Sequence, residues 1–75
     1  MKYNGDMIWV YGAQGNIIGH IEGNGGNVRA YYHNRQVGWY DENTNYTYAH
    51  GSAPRKGDLL EHLIQREWEK ENPSW

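Results

Sequence analysis

The stretch Val28–Asp41, VRAYYHNRQVGWYD, constrains the fold of this chain more than any other. Large residues alternate on either side of His33-Asn34-Arg35-Gln36, and Asn34 tolerates the positive φ that a two-residue hairpin turn needs. Two antiparallel strands follow from that pattern. The neighbouring sequence repeats the plan: Trp9–Gly19 and Tyr31–Gly38 each read as an aromatic strand, a turn, and a β-branched residue followed by glycine. Glycine inside a strand marks a bulge or a place where another backbone or ring comes close.

The same reasoning extends in both directions along the chain. After a polar lead-in over 2–6, a first strand is expected at about 7–11, turned by Gly12-Ala13-Gln14-Gly15 with Gly15 in a left-handed position. A second strand, 17–22, leads to Gly23-Asn24-Gly25-Gly26-Asn27, where Asn-Gly suits a tight hairpin. Strands at 28–33 and 36–41 come next, and Glu42-Asn43-Thr44-Asn45 turns the chain into a fifth, 46–50. Residues 51–57, GSAPRKG, read as a loop. Asp58 followed by Glu61 then resembles a capping box and opens a helix over about 58–71, stopped by Asn72-Pro73. Leu59, Leu60, Leu63 and Ile64 form its apolar stripe, whereas Glu67 and Glu71 occupy the same face further on, so packing is expected from the first half only. The expected architecture is α+β: one domain, 1–75, with a five-stranded antiparallel meander over about 7–50 and one C-terminal helix packed on one face.

Alternation of side chains divides the sheet into two faces once a register is chosen. Pairing Tyr11 with Ile17, Ile21 with Val28, Tyr32 with Val37 and Trp39 with Tyr48 puts Met7, Trp9, Tyr11, Ile17, Ile21, Val28, Ala30, Tyr32, Val37, Trp39, Tyr46 and Tyr48 under the helix. The opposite face then carries Val10, Ile18, His20, Arg29, Tyr31 and Tyr40. Those six residues are the candidate binding surface, because an apolar patch of several hundred Å² is seldom left exposed on a monomer.

Composition bears on what such a domain does. Five Ile, three Val and three Leu are supplemented by four Trp and seven Tyr, with no Phe and no Cys. The core must therefore draw on rings that carry a polar atom, without disulfide or thiolate reinforcement. Small cores of this kind favour self-association. A formal charge of −2 argues against bulk attraction to nucleic acid or to an anionic membrane. No apolar run resembles a signal peptide or spans a bilayer, and the expected location is cytoplasmic with no membrane partner.

Chemistry is not announced by motif. His20, His33, His50 and His62 lack zinc-ligand spacing, the two serines sit in no nucleophile turn, and Gly23-Asn24-Gly25-Gly26 lacks the lysine of a phosphate loop. No catalytic residue, metal site or cofactor is expected. The spacing of Tyr11, Gly15 and Gly19, recurring in Tyr31, Asn34 and Gly38, resembles the Y-D-x-x-G-x-x-V-G-like short hairpin repeats of bacterial and phage proteins. Gly12 stands where that pattern has Asp, Asn34 replaces its turn glycine, and no functional residue carries over. The expectation is a non-catalytic module that acts by protein–protein association, through self-assembly into a dimer or larger, occlusion of a protein partner, or both. A phage-type inhibitor of a bacterial defence enzyme would be one such module. The alternative is a nucleotide or single-stranded nucleic-acid binder that uses aromatic rings such as Tyr31 and Tyr40 beside Arg29.

Overall fold

Turn chemistry, more than strand propensity, dictates the architecture. In the computed structural model, which describes residues 7–24 and 26–72, six strands form one antiparallel sheet in chain order. These are β1 (Met7–Tyr11), β2 (Ile17–Asn24), β3 (Asn27–Tyr32), β4 (Arg35–Asp41), β5 (Tyr46–Ala49) and β6 (Arg55–Lys56). A single helix, α1 (Leu60–Glu71), packs across β2, β3 and β4. The α+β meander with its C-terminal helix is thus as expected, with one strand more. That strand lies inside the segment read as a loop: Arg55 and Lys56 pair with Thr47 and Tyr46.

Gly15 turns the first hairpin with φ +83°, as its position demands. In the third hairpin the left-handed residue is His33 (φ 57°), where Asn34 was expected. Gly25, in the second hairpin turn, lies outside the described residues, as do the lead-in, Pro73 and Trp75.

The register departs from simple alternation at two places. Val10 pairs with Gly19 but Tyr11 with Ile17, which leaves Ile18 as the extra residue of a bulge in β2. Ala30 pairs with Gly38 but Tyr31 with Gln36, which leaves Val37 extra in β4. The expected pairs Tyr11–Ile17 and Trp39–Tyr48 form, but Ile21 faces Ala30 and Tyr32 faces Arg35. Each bulge is a β-branched residue followed by glycine, and each glycine lies under the helix. A Cβ on Gly38 would sit 2.5 Å from Leu63 Cδ1, and one on Gly19 would meet Ile64 Cγ2 at 2.8 Å as well as the Tyr31 carbonyl oxygen. The two glycines let the helix descend onto the sheet.

The core is correspondingly rearranged. Ile21, Val28, Ala30 and Tyr32 are buried under the helix as expected, and Val10, Ile18, Leu60 and Ile64 complete the cluster. Met7, Trp9, Tyr11, Ile17 and Tyr46, assigned to that face by a bulge-free register, are exposed instead, and Trp39 and Tyr48 lie on the face turned away from the helix. In β5 Thr47 is the buried residue, and its hydroxyl donates to the Gly57 carbonyl at 2.5 Å while accepting from Leu59 N–H at 3.0 Å. That bridge positions the helix start. Leu59 occupies the N-cap, and Asp58 Oδ1 accepts from Leu60 N–H at 3.2 Å, so the aspartate serves the first turn from one residue further out than a capping box would put it.

The second half of α1 also packs, contrary to the expectation from Glu67 and Glu71. Both carboxylates find donors on the sheet: Tyr32 Oη donates to Glu71 at 3.2 Å and Arg35 to Glu67 at 2.7 Å. Gln65 donates to the Tyr11 carbonyl at 2.9 Å. Hydrogen bonding replaces apolar contact where the stripe runs out.

Candidate functional site

The sheet face turned away from the helix is a field of rings. Across β1, β2 and β3, Trp9 meets His20 edge-on at 5.7 Å between centroids, and His20 stacks on Tyr31 at 4.7 Å. In the next row Met7, Glu22, Arg29, Trp39 and Tyr48 lie opposite one another from β1 to β5, and Trp39 stacks on Tyr48 at 4.1 Å. Cross-strand neighbours on one face stand close enough for such pairs, and offset stacking is the geometry that ring quadrupoles favour. Glu22 Oε1 lies 3.2 Å from His20 Nε2. Charge is sparse: Arg29 stands opposite Glu22, and Asp41 and Lys56 lie on either side of Tyr46 towards the far edge.

Of the six residues expected to share a binding face, the structure brings together three. His20, Arg29 and Tyr31 lie on this open face. Val10 and Ile18 do not: they are 3% and 1% exposed, inside the core under the helix. Tyr40 also lies on the helix side, packed against that core, with its hydroxyl donating to Asn45 Oδ1 at 2.6 Å. The physical cause is the pair of bulges, since each extra residue reverses the in/out sense of every later position in its strand.

Sequence reasoning missed the residues that dominate the exposed apolar surface. Met7, Ile8, Trp9 and Tyr11 on β1, and Ile17 beside them, are all exposed, with Trp9 at 51% and Tyr11 at 54%. β1 is also an edge of the sheet: it pairs with β2 on one side, and no described residue pairs with the other. MIWVY has no charge and no proline, the devices that usually guard an edge against pairing with another chain. The signal was legible as a strand without a polar face.

Two titrating groups under the helix are shifted. Its hydrogen bond to Lys70, at 2.8 Å, and then that to Arg35 hold the Glu67 carboxyl below the ordinary carboxylate range against the opposing effect of burial. Burial, followed by the hydrogen bond to Glu71, raises the Tyr32 phenol. Both belong to the packing of α1 and neither faces the ring surface. Among the described residues no three His, Asp or Glu side chains converge to hold a metal, and no helix is long and apolar enough to cross a membrane. Comparison of the chain with protein-family models, with curated proteins and with solved structures finds no match.

Proposed function

We propose that the protein is a non-catalytic association module that adds strands across the β1 edge, and that the first occupant of that edge is a second copy of the chain. The unguarded apolar edge carries this reading. Two β1 strands running antiparallel about a two-fold axis would centre on Trp9, set Met7 of each copy beside Tyr11 of the other, and pair Ile8 with Val10 on the helix side. Each strand is therefore complementary to itself, as a two-fold interface requires. The bulge supports the same reading, because its extra residue, Ile18, belongs to β2 and leaves β1 regular. Main-chain hydrogen bonds would supply affinity, and the Trp9 and Tyr11 rings would supply buried area. A partner protein with an exposed strand could use the edge in the same way.

Nucleic-acid binding by the ring face is less well supported. Among the described residues its cations are Arg29, opposite Glu22, and Lys56, on the edge strand in the row of Asp41 and Tyr46, and these two separated charges make no basic track for a phosphate backbone. Hydrogen exchange tests the association reading: β1 amides that point away from β2 should be protected in a concentration-dependent manner. Free exchange of those amides at every concentration would reject it.

A further inference from the structure

A second surface lies on the opposite side of the molecule from β1. Where β5 ends, the side of α1 and the start of β4 enclose a cleft of about 230 Å³. Arg35, Arg66 and Lys70 line it together with His50 and one carboxylate, Glu67, and a continuation past Ser52 and Leu63 reaches Arg55. Of the seven Lys and Arg, Lys2 lies outside the described residues, and four of the remaining six meet along this one channel. A chain of net charge −2 has gathered most of its positive charge in one groove.

Structural need accounts for only part of this. Arg35 and Lys70 share the Glu67 carboxylate. Arg66 has no such partner among the described residues, although it stands one turn before Lys70, and like charges at that spacing weaken a helix. An anion in the cleft would turn that repulsion into a clamp, with guanidinium groups suited to bidentate contact with phosphate oxygens. The hollow beside the cleft shares Gln36, Ala49 and His50 with it and runs over the stacked Trp39–Tyr48 pair. Cations next to exposed ring faces can hold a phosphate and a base together.

We propose that this cleft binds a nucleotide, with the phosphate between Arg35, Arg66 and Lys70 and the base on the Trp39–Tyr48 pair. The ligand chemistry is a phosphate ester attached to a base, from either a free nucleotide or a single-strand end. Calorimetric titrations with AMP, inorganic phosphate, a short oligothymidylate and an acidic peptide test it. AMP should bind more tightly than inorganic phosphate, weaken with salt, and lose affinity by about tenfold or more in both Arg66→Glu and Arg66→Gln. Both variants should melt like the wild type, because Arg66 is exposed. Tighter binding of AMP than of oligothymidylate assigns a free nucleotide, and the reverse assigns a strand end. The proposal is overturned if AMP does not saturate, if inorganic phosphate binds equally well, if both Arg66 variants bind normally, or if the acidic peptide binds best. Trp9→Lys should leave AMP binding intact, so this proposal and the association reading fail separately.

Discussion

Gly19 shows how a single missing methyl shapes the whole packing. Any side chain there would overlap the Tyr31 carbonyl on one side and press on Ile64 on the other. Gly19→Ala is expected to destabilise the domain by at least about 1–3 kcal/mol, the usual range for overpacking. Gly51→Ala, at φ +74° but with open space around it, should show only the smaller backbone strain. Denaturant melts of the two variants separate close packing from conformational cost. Thr47 is the polar counterpart: Thr47→Val keeps the shape but leaves Leu59 N–H without its acceptor. A loss of about 1–3 kcal/mol is expected from that buried donor.

At the scale of the element, α1 is held by an apolar half and a polar half. Ile64 is fully buried, and Ile64→Ala should cost about 2–5 kcal/mol. Truncation before Asp58 removes both Leu60 and Ile64 from the core and should abolish the cooperative melt. The polar half predicts a pH dependence at each extreme. Because Glu67 has a folded pKa below its unfolded one, its pairing contributes stability above the usual carboxylate value of about 4.3, lost as the pH falls through the lower folded value. Tyr32, raised in the fold, contributes stability that is present below the usual phenol value of about 10 and lost as the pH rises through the higher folded value. Melting curves of wild type, Glu67→Gln and Tyr32→Phe across both ranges should show each variant flattening one limb.

These elements also show how far the residues alone could be read. Turn residues such as Gly15 and the leucine stripe of α1 were legible because each has one cheap conformation or one side to bury. The faces of β1, β4 and β5 were not, since Ile18 and Val37 each insert one residue, and side-chain alternation cannot be counted through an unseen insertion. The sign of the bulges was present in Ile18-Gly19 and Val37-Gly38, but its effect on register depends on a helix distant in sequence. For the same reason Val10 and Ile18 looked like surface, while Trp9 looked like core. Tyr32 hydrogen-bonding to Glu71 was invisible for a related reason: 39 residues separate donor from acceptor.

The whole molecule is a half-covered sheet, with a helix on one face, rings on the other, and an apolar strand at one edge. Light scattering of the wild type and Trp9→Lys, with a thermal melt of each, tests whether that edge makes the protein an association module. Trp9 is exposed and outside the core, so the substitution should not affect folding, while a lysine in the middle of β1 should block strand addition. The wild type should be a dimer or larger, and Trp9→Lys a monomer of similar melting temperature. A monomeric wild type, or a variant that still assembles, would contradict the association reading.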